Sequence, residues 1–158
     1  MEAAKHSMKK YLSTDHKKVL AFLSKRQLAV IATTDQTNPY PESALIAFAH
    51  NDNLELFFQT NKYSRKAVNL QRNLHTSFVI GLDQEGLGTV QYQGIAQQVK
   101  EPDMIAHIKQ CFIAKDSPTA KPKYLENPDN IFFVVTPIWI GFYDYSEGKV
   151  VVLELTQF

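Results

Sequence analysis

Four side chains close together carry the clearest chemistry in this sequence: Thr60, Ser64, Arg65 and Lys66. Two hydroxyls and two cations at this spacing suit an anion with several oxygens, above all a phosphate monoester. The run Gln59-Thr60-Asn61-Lys62-Tyr63-Ser64-Arg65-Lys66 closes an alternating apolar segment and opens an amphipathic one. A strand that hands over to a helix presents first-turn N–H groups and the positive end of the helix dipole to such an anion. Cations in a first helical turn oppose that dipole. An arriving anion would account for them; an ordinary solvated first turn is the other reading.

Other reactive residue types lack the company that chemistry needs. The five histidines, His6, His16, His50, His75 and His107, have no metal-ligand spacing, and Cys111 is the single cysteine, so no metal site is expected. Cys111 lies on an apolar helical face and reads as a packed thiol. Gly86-Leu87-Gly88 begins a dinucleotide fingerprint, but Gln91 stands at its third glycine and a strand follows, so a hairpin turn is expected. Asp15-His16 reads as part of a helix cap.

The elements that must position the four residues follow from periodicity. Residues 1–12 read as a polar arm. Ser13, Thr14 and Asp15 are candidate caps for a helix to about Lys25, with Val19, Leu20, Phe22 and Leu23 toward the core. Leu28 to Thr34 is apolar on both parities, hence a strand covered on both faces. Strands follow from about Glu42 to Ala49 and from Leu54 to Thr60, where Leu54, Leu56 and Phe58 share a face. A helix over about Tyr63–Asn73 buries Tyr63, Ala67, Leu70 and Leu74, leaving Arg65, Lys66, Asn69 and Arg72 off that stripe.

Further strands are expected at Thr76–Ile80 and Thr89–Val99, the second switching apolar parity at a bulge on Gly94. Pro102 opens a helix with Met104, Ile105, Ile108, Cys111 and Phe112 as its apolar face. Residues 116–130 read as a long, exposed, irregular loop with room for one short turn of helix. Strands from Ile131 to Tyr145, broken near Pro137, and from Lys149 to Leu155 close the chain around a turn at Ser146-Glu147-Gly148. The sum is mainly β with flanking helices: six or seven mostly antiparallel strands and three helices, in one domain over 1–158. Strands this apolar need a closed barrel, helices packed on it, or a subunit interface.

Composition agrees with an ordinary globular chain. It has 158 residues, 44% hydrophobic and 21% charged, with a net charge of +1, so no nucleic-acid or membrane partner is expected. No apolar run is long enough to span a bilayer. With one cysteine and no apolar leader, a cytoplasmic location is expected.

Three segments, in order, resemble the pyridoxamine 5′-phosphate oxidase-like family of FMN-binding split barrels over about residues 15–155. They are Leu56-Phe57-Phe58-Gln59-Thr60-Asn61 with Ser64-Arg65-Lys66, Asn69-Leu70 and Arg72-Asn73; Val90-Gln91-Tyr92-Gln93-Gly94-Ile95-Ala96; and Val135-Thr136-Pro137. The resemblance implies an antiparallel split β-barrel forming a homodimer, with FMN in the grooves between subunits. Arg65 and Lys66, aided by Thr60 and Ser64, would hold the FMN phosphate. Gln59 and Thr60 would touch the cofactor through the strand end, and Ser43 to Ala47, Leu45 among them, would lie along the isoalloxazine edge. Trp139 and Tyr143 would pack on the flavin from the partner chain, or else serve core or interface packing.

The implied activity is an FMN-dependent oxidoreductase acting on a small molecule. The same barrel type also admits a flavin-binding module without turnover, the deazaflavin F420, or haem held by His50, His75 or His107. The sequence departs from pyridoxamine phosphate oxidases themselves. It has no cation over Ala44–Ala49, Thr89 where they use a flavin-binding Gln, and neither Arg nor His past Lys149. The vitamin B6 reaction is therefore not the expected one.

Overall fold

The computed structural model describes residues 13–81, 88–146 and 150–158. The arm at 1–12, the hairpin turn at Gly86-Leu87 and the turn at Glu147-Gly148 lie outside the described residues. The elements are α1 (Thr14–Ser24), β1 (Leu28–Thr33), β2 (Glu42–Ala47), β3 (Ala49–His50), β4 (Leu56–Asn61), α2 (Arg65–Arg72) and β5 (His75–Ile80). They continue with β6 (Gly88–Val99), α3 (Pro102–Ala114), α4 (Pro122–Leu125), β7 (Asn130–Asp144) and β8 (Val151–Leu155). Ser13 caps α1 as expected, its hydroxyl accepting from the His16 N–H at 3.1 Å. Among the described residues no helix is long and apolar enough to cross a membrane.

All strands pair antiparallel in one curled sheet, in the order β2-β1-β5-β6-β7-β4-β3, with β8 on the remaining edge of β7. The first and last strands of that path are consecutive in the chain. The single strand expected over Glu42–Ala49 bends at Phe48, so β2 sits at one edge and β3 at the other. Phe48 is fully buried and its N–H is held by the Gln27 carbonyl at 3.1 Å. The sheet thus curls until its two edges meet at one residue: a split barrel with one more strand than expected.

Two cores result. Inside the barrel Leu54, Leu56, Phe58, Phe78, Tyr92, Phe133 and Ile140 pack with Val19 and Leu23 of α1 and Leu70 of α2. Phe58 and Phe133, opposite each other in the ladder, stack with ring centroids 4.9 Å apart. Outside it, α3 lays Ile108 and Phe112 over Phe57, Val99 and Phe132. β4 and the facing end of β7 are therefore covered from two sides, whereas β1, expected to be covered on both faces, leaves Leu28 exposed and Val30 and Ala32 half-exposed on its outer face. The 116–130 segment contains the expected short helical turn, α4, but is less exposed than expected: Leu125 and Ser117 are buried, Leu125 in the outer core.

The irregularity at Gly94 is real, but the extra residue belongs to the partner strand. Gln93 faces Trp139 and Gly94 faces Pro137, so Ile138 is the bulged residue. Residues 88, 90, 92, 94 and 96 of β6 all point inward without interruption. It is β7 that changes parity, from Val135 and Pro137 inward to Ile140 inward. The same extra residue keeps β7 continuous where a break at Pro137 was expected. Val99 is an outward residue buried by α3.

α1 carries no basic residue in its last turn. Lys115, at the end of α3, supplies that charge: its Nζ donates to the Leu23 carbonyl at 3.0 Å and lies 3.8 Å from the centre of the Phe48 ring. Burial lowers the Lys115 ammonium to about 7. In the unfolded chain it keeps its ordinary, higher value. Above about pH 7 the unfolded chain therefore holds more protons at this site, and stability rises with pH until both states are neutral. The Phe48 ring and the Leu23 carbonyl favour the charged form and reduce the gain. The expected result is a rise of about 1–2 kcal/mol between about pH 7 and pH 9 that is absent in Lys115→Met, read by urea denaturation at each pH.

Candidate functional site

The corner between β4 and α2 is built by three polar residues that tie the helix to the end of β1. Asn69 Nδ2 donates to Thr33 Oγ1 at 3.1 Å, Asn73 Nδ2 to Thr34 Oγ1 at 2.9 Å, and Arg72 pairs with Asp35 at 2.6 Å. These contacts fix where the helix N-terminus points. They also correct the expected helical stripe. Asn69 is buried, whereas Tyr63 and Leu74 are exposed, because α2 begins at Arg65 and only Ala67 and Leu70 reach the barrel interior.

At the N-terminus of α2 the four predicted residues come together. Ser64 is the N-cap, its Oγ accepting from the Ala67 N–H at 3.3 Å and lying 3.0 Å from Thr60 Oγ1. The N–H groups of Arg65 and Lys66 open the helix and have no acceptor among the described residues. Lys66 is half-buried, and no ion pair or hydrogen bond joins its ammonium to a described residue. Burial pushes that ammonium below its usual value. Arg65 is different: its guanidinium is largely exposed and pairs with Glu42.

Glu42 is the site residue that sequence reasoning missed. It accepts from Asn69 at 2.9 Å as well as from Arg65. Burial pushes its carboxyl up, but the hydrogen bonds from Asn69 and Arg65 outweigh that and hold it below the usual carboxylate range. Glu42 thus offsets one of the two cations and leaves the charge of Lys66 uncompensated among the described residues. Its one signal in the sequence is that it stands alone as an acidic residue on an otherwise neutral strand.

Ser43 and Leu45 follow Glu42 on β2 but face outward, and both are exposed. Across the register they stand in rows that run Ser43–Ala32–Ser77–Gln93–Trp139 and Leu45–Val30–Val79–Gln91–Gly141. Trp139 and Tyr143 point out of β7 on this same face, and their rings close over Gly141: a Cβ there would lie 2.5 Å from the Trp139 ring and 3.0 Å from that of Tyr143. Four strand spacings separate β2 from β7, about 19 Å along the sheet. Gln59 is turned away as well, donating to the Thr119 carbonyl at 3.1 Å on the α3 side of the sheet, with its Oε1 buried and unpartnered.

His75 is the histidine on the outer face. It lines a depression of about 320 Å³ with Ala32, Ser77, Gln93 and Ile138. His50 is half-buried, and burial followed by the nearby Lys115 charge lowers its pKa. His107 lies against Phe57 and Cys111, whose thiol burial pushes up.

No curated protein matches the sequence. Several solved structures share the fold. A pyridoxamine 5′-phosphate oxidase-related, FMN-binding protein from Nostoc punctiforme aligns over 93% of this chain and 99% of its own, with a TM-score of 0.60 and 12% identity. The General Stress Protein 26 of Bacillus anthracis aligns over 89% and 98%, with a TM-score of 0.64 and 18% identity. A heme-binding protein from Mycobacterium smegmatis reaches a TM-score of 0.74 at 13% identity, over 91% of this chain and 58% of that one. A family model described as pyridoxamine 5′-phosphate oxidase matches residues 15–144, which takes in the corner, the outer face and both aromatics. By that match, and with the split barrel that accompanies it, the chain belongs to the pyridoxamine 5′-phosphate oxidase family.

Proposed function

We propose that this chain binds FMN, phosphate foremost, at the β4–α2 corner and acts as a flavin-dependent oxidoreductase on a small molecule, as a homodimer. The observation that carries this reading is Lys66, a half-buried ammonium without a described partner, beside two hydroxyls at the positive end of a helix. A cation held out of water without a counter-charge is costly, and a phosphate dianion would relieve that cost. The donor set fits the group: Lys66, the N–H groups of Arg65 and Lys66, and the Thr60 and Ser64 hydroxyls. Arg65 would divide itself between the phosphate and Glu42.

Ser43 and Leu45 would run along the ring system, Leu45 against its apolar face and Ser43 as a hydroxyl donor at its edge. Bound flavin supplies hydride and electron transfer. The chain binds it, orients it and excludes water from one face. Trp139 and Tyr143 would complete the site from a second copy, because four strand spacings keep them from it within one chain. The exposed Val79 and Ile138 give that copy an apolar surface to cover.

Parallel titrations with FMN and riboflavin test the corner. FMN should bind at least about 100-fold more tightly, since riboflavin lacks the phosphate; equal affinities would retire the assignment. Sedimentation at micromolar concentration should give a dimer, and Trp139→Ala should weaken FMN binding without changing its phosphate preference. An unaltered affinity in that variant would remove the second copy from the site.

One observation favours a second reading. His75 faces the outer depression, where an imidazole could ligate haem iron. Haemin titration giving a sharp Soret band that His75→Ala abolishes would move the assignment from flavin to haem.

A further inference from the structure

A cleft of about 510 Å³ opens where α1 ends and β1 begins. Its lining includes Lys25, Arg26 and Lys115, with Leu28 and Leu45 as the apolar part. None of the described lining residues is acidic. The cleft lies at the opposite end of the β1–β2 hairpin from the phosphate corner. Glu42, tied to Arg65, pairs with Thr33 at one end of the ladder, and Ala47 pairs with Leu28 at the other. Five residues of strand span about 17 Å. Leu45 stands outward between the two basic ends and belongs to both.

The cations here are arranged differently from those at the corner. Lys115 has three donors, and one is committed to the Leu23 carbonyl while its charge rests over Phe48. Arg26 is buried and lies over the Phe22 ring, 4.1 Å from its centre. Lys25 is exposed at the rim. Beside them, Leu28 and Leu45 are 41% and 61% exposed and form the apolar side of the cleft. A cationic wall against an apolar floor selects a ligand with an anionic head and an apolar body.

We propose that this cleft binds the carboxylate of an amphipathic organic acid, whose apolar body lies on Leu28 and Leu45. This deepens the flavin reading and rests on it for one point, that the acid is the substrate, since Leu45 is shared with the proposed ring site. Burial depresses the Lys115 ammonium, and a carboxylate delivered to it restores the favourable charged form. A single partly committed ammonium, with a rim lysine behind it, suits one negative charge better than the dianion assigned to the corner.

The test uses the full chain and 2-naphthoate as probe, with 2-naphthalenemethanol as its uncharged counterpart, titrated calorimetrically. Wild type should prefer the acid by at least about 10-fold. Lys115→Met keeps the packing against Phe48 and should lose that preference. Should that variant fail to fold, Lys25→Glu, an exposed substitution, decides in the same way. Equal binding of acid and alcohol by wild type, or an undiminished preference in the deciding variant, overturns the proposal. FMN titrated into the same samples separates the two readings. A Lys115-dependent preference without FMN binding would leave the cleft standing as an acid site and remove the flavin.

Discussion

At the proposed site, replacing Lys66 by methionine should lower FMN affinity by about 10- to 100-fold, equivalent to roughly 1.5–3 kcal/mol for a charge-assisted contact. Methionine keeps most of the buried stem and discards only the ammonium. The fold should therefore survive, and its stability should be unchanged or slightly raised, because an uncompensated half-buried charge has gone. Arg65→Met should cost less, a few-fold at most. Its guanidinium is largely exposed and already satisfied by Glu42, and exposed pairs contribute about 0–1 kcal/mol. Riboflavin affinity should be the same in both variants, which separates a phosphate contact from a general weakening of the site. A larger loss for Arg65→Met than for Lys66→Met would reverse the ranking and put the phosphate out toward solvent. The measurement is fluorescence titration of the flavin against each variant.

Gly94→Ala is expected to destabilise the barrel by about 3 kcal/mol or more, the upper part of the range for overpacking. An added Cβ would fall 2.6 Å from the Thr136 carbonyl oxygen and 2.7 Å from Val135 Cγ1, with the Tyr92 ring at 2.9 Å. None of these can yield cheaply. Thr136 is held in the β6–β7 ladder opposite Ile95. Tyr92 is fully buried, and its hydroxyl lies 3.0 Å from the carbonyl oxygens of Leu54 and Val135. For a chain of this size such a loss lowers Tm by about 6–12 °C. Gly141→Ala is the useful contrast. Its added Cβ meets the rings of Trp139 and Tyr143, half-exposed side chains that can swing outward. It should cost little stability, and its effect should fall on FMN binding through Trp139. Urea denaturation of the two variants side by side distinguishes a backbone clash from a displaced ring.

Much of this was legible in the residues themselves, and the reasons are local. Ser13 caps α1 because a hydroxyl before a helix satisfies an orphan N–H, and that rule operates without tertiary context. The α3 stripe followed from period alone. What escaped was set by partners distant in sequence. The bend at Phe48 has neither glycine nor proline to announce it; the chain turns there because two sheet edges converge. Asn69 looked like a surface residue until Thr33 and Glu42 arrived to hydrogen-bond it. The bulge was assigned to the strand bearing the glycine, yet Gly94 is only the gap that Ile138 on the other strand requires. In the site, the cations were readable and their inequality was not, since Arg65 and Lys66 differ only through Glu42.

The ladder that holds β4 has a consequence for the order of events in the cell. Thr60 faces Ile131, and Asn61 faces Asn130. Among the described residues, the only other neighbour of β4 in the sheet is the two-residue β3. A chain still on the ribosome and not yet extended past residue 131 has nothing to hold the end of β4, whatever helix α2 has already formed. Pairings this distant in sequence close late. The proposed flavin site is therefore completed only when the nascent polypeptide is nearly finished.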